Sequence, residues 1–552
     1  MLKRIIRFLK IRKIAFVEAV IYLLSLLFFL INATYVSYPD GFSNLMGATF
    51  VKQGFVPFRD FFNHHMPFAW YLGALIMIFT QKSFVAFRLL WSILAFLSLG
   101  ILGIWIRKNS VKLYKGYLLF FLIYPLLAVY FWLHLYLADS LAALLFSLIF
   151  WLLLAQSDSK NINIRLSIVT SILTFCLVLT SLTYIYAGLV LYLWQLYHLK
   201  TDLRKMLRYC LIAALPYLGY FIYLLLTKSL ADFYFANVIY NTDFYIDIPN
   251  YTKGRFFNPL KFGFTLIYNF WGKYLSKLTT IKDLNLYLPI GLTAILGSFV
   301  LLIILLKKRF VQGAIFFLLL SFSAPRGNMQ EFKETDYQIG VFLLLGVISA
   351  VYFLIATNGS KLESVLQADI KRIVRLILGV YLFFSFVFLL KNTYDKWYLR
   401  YTQKMPSIMD KSFTADFLDE ILEEGDNYWV GPYEPHESFF VKKGRIPGRY
   451  YIMLPQYGQS DYIKNNFISD FAKNPPKVII FKTDTGIFGT PTYEFGSFLL
   501  DWMRSGYTLL EEFEGLKILK SPSSFKIDKH LYILNSEKDE ILMKLKNHGY
   551  IN

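Results

Sequence analysis

Cysteine is almost absent from this chain of 552 residues: there are two, Cys176 and Cys210, both inside apolar runs. No disulfide framework can be built from them, and the redox compartment stays open. There is no CxxC and no HExxH, so the usual zinc patterns are missing. Acid is scarce too, with 37 Asp and Glu against 57 Lys and Arg, a formal net charge of +20. In a soluble protein such an excess would suggest nucleic acid. Here the basic clusters flank long apolar runs, so the positive-inside rule accounts for them and no nucleic-acid partner is expected. Internal repeats and low-complexity segments are also lacking.

Apolar residues dominate what is present: 56% of the chain is hydrophobic and 19% aromatic. Long apolar runs recur at Ile14–Val36, Phe84–Ile106, Tyr117–His134, Ser140–Leu154, Leu166–Leu182, Tyr184–Leu199, Tyr209–Leu226, Leu286–Leu306, Phe310–Ser323, Ile339–Ala356 and Leu376–Leu390. The fold class expected is a polytopic α-helical membrane protein of about eleven spans, several shorter than the roughly 20 residues a perpendicular helix needs. The basic N-terminus MLKRIIRFLKIRK precedes a span without a small-residue cleavage site and reads as a retained anchor. Pro67–Thr80 is ambiguous, and charge decides it. If it lies in the interface, the clusters Lys3–Lys13, Arg107–Lys115, Lys200–Arg208, Lys307–Arg309 and Lys371–Arg375 all fall on one side. The expected topology is therefore multi-pass in the plasma membrane, with a cytoplasmic N-terminus and an extracytoplasmic C-terminal part. Ser37–Ser83, the turn around Asp139, Thr227–Asn285 and Ala324–Gln338 then share the outer face. The aromatic stretch Thr227–Asn285 reads as further interfacial helices and turns.

Composition changes after Leu390. Phe413–Glu424 has helical apolar spacing with Thr414 as candidate cap, and Asp461–Phe471 and Phe495–Ser505 are also helical. Asn427–Gly431 and Lys477–Lys482 read as short buried strands, with Tyr507–Phe513 and Gly515–Leu519 as a final strand pair. The expected division is a membrane part, 1–395, and a small extracytoplasmic α/β domain, 396–552, able to fold by itself.

The stretch from Pro39 to Arg88 holds the ionisable residues most in need of a reason. Asp40 follows the first span directly; Arg59 and Asp60 are adjacent, as are His64 and His65; Arg88 opens the second span. Each ionised group at a bilayer centre costs roughly 2.5–3.5 kcal/mol on insertion scales, so the mixture belongs at the boundary, where it can make a polar pocket. Bland readings stand beside the functional ones. Asp40 could mark the membrane edge, Asp60 could pair with Arg59, and the histidines could be plain interfacial residues. On a helix, adjacent histidines point about 100° apart and would not chelate one metal. Asp139 interrupts the apolar run FWLHLYLADSLAALLF together with His134, and either marks a site or caps the helix that follows.

Taken as a set, these residues resemble the GT-C superfamily of membrane glycosyltransferases, in the branch of protein O-mannosyltransferases and lipid A aminoarabinose transferase. The resemblance rests on an acid after the first span (Asp40), then KQGFVPFRDFFNHHMPFAWYLGALIMIF, then FVAFRLLWSIL. The family's loop features fall on Asp40, Gly54, Pro57-Phe58-Arg59-Asp60, His65-Met66-Pro67, the segment Pro67–Thr80, and Arg88. Its second acid, opening the fourth span, falls on Asp139. Gly41 stands where many members carry another acid, and His65 where several carry Lys. The match covers roughly the first 230 residues in motif and the remainder in architecture.

The resemblance implies transfer of a sugar from a polyprenyl-phosphate donor to a lipid, glycan or protein acceptor on the outer face, with inversion. Asp40 and Asp139 would be the catalytic acids, His65, Arg88 and Arg59 the donor-phosphate residues, and Asp60, His64 and His134 their support. A divalent metal, Mg or Mn, on Asp40 and Asp139 is an option it leaves open. The alternative is a transporter or flippase for a lipid-linked or anionic solute; transporters usually place charges near the midplane in repeated halves, a pattern missing here. The C-terminal domain carries no nucleotide-sugar or metal signature; Asp461, Asp484 and His436 are scattered and read as surface residues. The topology is directly testable. Cysteines at positions 64 and 465 should react with an impermeant thiol reagent from outside, and cysteines at 108 and 308 should not. Outside labelling at 108 would make Pro67–Thr80 a span and invert the loops.

Overall fold

A computed structural model describes residues 2–158, 164–200, 202–245, 284–323, 325, 337–356, 368–402 and 408–552. The chain divides into two compact units. One comprises Met1–Val36, Val85–Tyr220 and Arg255–Ile408; the other comprises Ser37–Phe84, Phe221–Gly254 and Met409–Asn552. The expected cut at residue 395 falls inside a helix, Ala368–Thr402. The second unit also draws in two earlier segments, because their aromatic side chains pack with the C-terminal residues.

The first unit is a helical bundle. Its helices include α1 (Leu2–Ala33), α4 (Phe84–Asn109), α5 (Val111–Tyr130), α6 (Ala138–Asp158), α7 (Ile164–Thr180), α8 (Ile185–Leu199) and α9 (Leu203–Leu226), numbered along the chain with α2 and α3 below. Leu284–Lys308, Phe310–Phe322, Gly340–Val351 and Ala368–Thr402 follow. Eight helices among the described residues are long and apolar enough to cross a membrane, and α7, α8 and Phe310–Phe322 coincide with the remaining apolar runs. Burial separates core from periphery. The apolar window of α6 is wholly buried, whereas α9 exposes Leu207, Leu211, Leu215, Leu218 and Ile222 along one face. A stripe of exposed leucines at helical spacing is a liability in water and a lipid-facing surface in a bilayer. Close packing of Leu284–Lys308 on Gly340–Val351 depends on two glycines. A Cβ on Gly297 would lie 2.4 Å from the Gly346 carbonyl oxygen, and one on Gly346 equally close to that of Ala294.

The second unit begins with α2 (Pro39–Lys52) and α3 (Phe68–Thr80). With 13 residues, α3 is about 20 Å long, short of the ~30 Å hydrocarbon core. Thr227–Asn285 starts, as expected, with helical turns, α10 (Leu230–Tyr234) and a π-helical stretch Phe235–Phe244; residues 246–283 of that stretch lie outside the described residues. The C-terminal part is built on a four-stranded mixed sheet in the order β1-β2-β6-β5: Tyr428–Gly431, Val478–Phe481, Leu531–Leu534 and Tyr507–Leu509. The first pair is parallel and the others antiparallel. A two-residue hairpin, β3 (Gly486–Ile487) with β4 (Thr490–Pro491), precedes β5. The expected partner strand at Gly515–Leu519 does not form; it is reduced to a single bridge, Ile518 to Ile551. Its place beside β5 is taken by Leu531–Leu534, whose alternating burial suits a strand with one face on the core. The helix Phe413–Ile421 is capped by Ser412, whose hydroxyl accepts from the Ala415 N–H, and not by the expected Thr414, which is buried against Ser524.

The two earlier segments are stitched to this C-terminal part. Phe42 of α2 packs on His436, Phe439 and Phe440, with ring centroids 4.5, 5.8 and 5.9 Å away. The Phe62 N–H donates to the Arg449 carbonyl at 2.8 Å. Gly47 lets α2 lie on α3, since a Cβ there would sit 2.6 Å from the Trp70 ring. Gly47→Val should therefore lower the stability of the second unit by about 1–3 kcal/mol, the usual cost of overpacking. Thermal unfolding of the purified protein, followed by the fluorescence of its aromatic residues, checks this; an unchanged midpoint would show that α2 and α3 separate easily.

Candidate functional site

Asp40 sits in the first turn of α2, after Pro39 at the helix start, and is half-buried. A proline there presets the backbone and gives up an N–H that has no helical partner anyway. An ionised carboxylate in the first turn is also favoured by the helix dipole. The Tyr433 hydroxyl donates to Asp40 Oδ1 at 2.8 Å. Desolvation, and then the charge of Asp40, raise the Tyr433 phenol well above its usual value, so it stays a donor. One turn along α2, the Ser43 hydroxyl lies 2.9 Å from the Tyr451 hydroxyl, which also accepts from Asn63 Nδ2 at 2.7 Å. Asn63 in turn accepts from the His65 N–H at 3.0 Å. Asp40, Ser43, Asn63 and His65 are thus joined through two tyrosines of the C-terminal part. Neither Tyr433 nor Tyr451 was among the residues singled out in the sequence: with 40 tyrosines and no local motif around them, no signal marked these two.

Asp60 behaves as its neighbour suggested. Arg59 donates to both of its oxygens at 2.8 Å, and the Val56 N–H donates to one of them at the same distance. Burial works to raise its pKa, but the Arg59 and Val56 hydrogen bonds outweigh it and hold the carboxyl below its usual range. Arg59 also donates to the Thr227 carbonyl, which ties this turn to the second segment of the unit. Phe58 within the turn has φ +71°, a left-handed conformation that non-glycine residues seldom hold without surrounding support. His64 and His65 lie in a bend, not a helix, and their rings stack with centroids 4.1 Å apart. The His64 ring also faces Tyr245 at 4.3 Å, and its carbonyl accepts from Asn241. Buried in this way, His64 is a poor labelling position, and Asn465, which is exposed, carries the outside arm of the topology test.

The other candidates belong to the first unit. Arg88 is only 1% exposed, and its guanidinium donates to the Val36 carbonyl at 2.9 Å and the Tyr35 carbonyl at 3.2 Å. It closes the end of α1, where carbonyls lack helical partners and positive charge is favoured. His134 lies between the same Tyr35 carbonyl, 3.1 Å from Nε2, and the Ala128 carbonyl, 3.2 Å from Nδ1. Desolvation, then the nearby Arg88 charge, push the imidazole down to about 3. A neutral ring carries one N–H, so it donates to one of these carbonyls and not both. Asp139 is buried in the first turn of α6 and accepts from the Tyr184 hydroxyl at 2.9 Å.

The sequence candidates thus fall into two sets. Asp40, Arg59, Asp60, His64 and His65 lie in one unit, and Arg88, His134 and Asp139 in the other. Among the described residues, no group of three or more His, Cys, Asp or Glu could hold a metal ion. Asp40 and Asp139 stand in different units.

The pH behaviour of His134 follows from its burial. Between about pH 6.5 and 3 the unfolded chain takes up a proton that the folded ring refuses, so acidification costs stability, up to about 1.4 kcal/mol per pH unit. His134→Gln should flatten the fall in unfolding midpoint between pH 7 and 5. Equal slopes in the two proteins would mean that His134 is protonated in the fold.

No protein-family model and no curated protein matches the chain. Solved structures do. ArnT from Cupriavidus metallidurans, bound to undecaprenyl phosphate, is similar over 95% of this chain and 98% of its own, with 14% identity and a TM-score of 0.51. Two oligosaccharyltransferase structures from Archaeoglobus fulgidus, one of them AglB, align over 85% of this chain and 69% of theirs. Their identities are 11% and 10%, and their TM-scores 0.44 and 0.45. At these identities the likeness is one of fold. With eight helices long and apolar enough to cross a membrane and a small C-terminal sheet, the chain is a polytopic membrane protein that shares the fold of the ArnT structure.

Proposed function

We propose that this protein is an inverting glycosyltransferase that moves a sugar from a polyprenyl-phosphate donor to a lipid, glycan or protein acceptor on the outer face of the membrane. The observation that carries the reading is the fold shared with ArnT over 95% of the chain. The ArnT structure holds undecaprenyl phosphate, and a donor on the same class of lipid is assigned here by that likeness. The N-terminus is read as cytoplasmic and the C-terminal part as extracytoplasmic, from the one-sided basic clusters.

Asp40 is assigned as general base. It takes the proton of an acceptor hydroxyl as that oxygen bonds to the anomeric carbon. The bond from that carbon to the phosphate oxygen breaks, and its electron pair leaves with the phosphate. Attack opposite the leaving group inverts the anomeric centre. Phosphate is a good leaving group, so the protein's main tasks are proton removal and stabilisation of the departing charge. Asp139 is assigned to orient the acceptor. His65, Arg59 and Arg88 are the phosphate-side residues. Arg59 and Arg88 already hold Asp60 and main-chain carbonyls, so an arriving phosphate would have to exchange with those partners. A divalent cation, if bound, would supply further neutralisation of the phosphate, and no step above is routed through one.

Asp40→Asn should abolish transfer and leave donor affinity nearly intact, because asparagine keeps the size and one acceptor but takes no proton. Asp139→Asn should cost less if it only orients the acceptor, and Asp60→Asn least, since Arg59 gives it a structural partner. The comparison needs a transfer rate and a donor affinity for each purified variant. An Asp40→Asn enzyme keeping more than about a tenth of wild-type turnover would remove Asp40 as base. Transfer unaffected by every variant would restore the transporter reading.

A further inference from the structure

The second unit contains a cavity of about 520 Å³ that does not include Asp40. Small-molecule sites are typically about 300–1,000 Å³, so its size is that of a ligand pocket. One wall comes from α2 and the residues after it, with Phe50 and Phe55; the other comes from the C-terminal part, with Phe439. Four charged residues border it: Asp60, Lys82, Arg445 and Arg449.

Their partners decide the sign of the cavity. Asp60 is neutralised by Arg59 on both oxygens. Arg449 is paired with Asp232 at 3.2 Å and lies 3.9 Å from Asp470. Lys82 donates to a neutral group, the Val441 carbonyl, at 2.8 Å. Arg445 is exposed and its guanidinium has no acidic partner among the described residues. Neither Lys82 nor Arg445 therefore has a direct ion-pair partner among the described residues, although the Asp419 carboxylate acts on Lys82 from farther off, which leaves Arg445 the less compensated of the two. A further polar group waits beside them: the Ser438 hydroxyl borders the cavity, is 4% exposed with its residue, and has no hydrogen-bond partner among the described residues. Leaving such a group buried and unpaired is costly, so a ligand hydroxyl there would recover the loss. Aromatic walls, two cations outside any direct ion pair and an unpaired buried hydroxyl describe one chemistry.

We propose that this cavity binds an anionic saccharide, with its phosphate or carboxylate on Arg445 and Lys82, a hydroxyl on Ser438, and its ring against Phe50, Phe55 and Phe439. This deepens the transferase reading by naming the acceptor class, and rests on that reading only for the word acceptor. The test is calorimetric titration of the full-length protein in detergent with glucose 6-phosphate, glucuronate, glucose and inorganic phosphate. At least one of the two anionic sugars should bind, and glucose should not bind measurably. Arg445→Gln should weaken the anionic sugar about tenfold or more, the worth of a charge-assisted hydrogen bond, with the unfolding midpoint unchanged. Ser438→Ala should weaken it without altering the preference for an anion. The proposal is overturned if neither anionic sugar binds, or if Arg445→Gln and Lys82→Gln both leave binding intact. Inorganic phosphate binding as tightly as glucose 6-phosphate would reduce the cavity to an anion site and overturn the saccharide. Tighter binding of micellar phosphatidylglycerol than of either sugar would replace it with a lipid headgroup. None of these readouts needs turnover, so a protein that binds the sugar yet transfers nothing would refute the transferase reading alone.

Discussion

A buried guanidinium at the end of the first span is the constraint on which the early part of the chain depends. Arg88 opens the second span, yet its N–H groups hold the carbonyls of Tyr35 and Val36, just past the last turn of α1. A charge this deep is tolerable only where several acceptors and a helix C-terminus receive it. The chain then resumes as a helix at Pro39, so where it leaves the bundle is fixed a few residues ahead of Asp40. His134 lies against the same Tyr35 carbonyl and stays neutral, which keeps a second charge away from the clamp.

Past that exit, order comes from the far end of the sequence. Tyr433, 393 residues away along the chain, supplies a donor to Asp40, and Tyr451 joins Ser43 to Asn63. A carboxylate on an isolated loop would move with the loop. One attached to a helix start and to a half-buried tyrosine hydroxyl is held to a defined place, as a base must be to reach an acceptor hydroxyl. The C-terminal part is therefore more than an appended domain: it completes the unit that carries the proposed base.

Much of this was legible in the sequence, and the reasons differ by element. Apolar runs became helices because in lipid a long, continuously apolar segment satisfies its own backbone hydrogen bonds only as a helix. The Arg59–Asp60 pair was readable from adjacency alone. The helix at Phe413 was readable from its spacing, but not its cap, since Ser412 and Thr414 are equally good cap residues and only tertiary packing buries Thr414. Leu531–Leu534 was missed because four residues carry too little periodicity to stand out. The tyrosines near Asp40 were invisible for a different cause: long-range pairing leaves no mark in local sequence. The same holds for the units, which are assembled from separated segments and have no single boundary to find.

The proposed function centres on cleavage of a bond between a sugar and polyprenyl phosphate. The most direct measurement supplies membranes containing the protein with a panel of labelled polyprenyl-phosphate sugars, with and without chelator, and follows the lipid product. At least one sugar should leave its carrier, liberating free polyprenyl phosphate and giving a product of inverted anomeric configuration. Carriers recovered intact across the whole panel, or moved unbroken from one leaflet to the other, would contradict it.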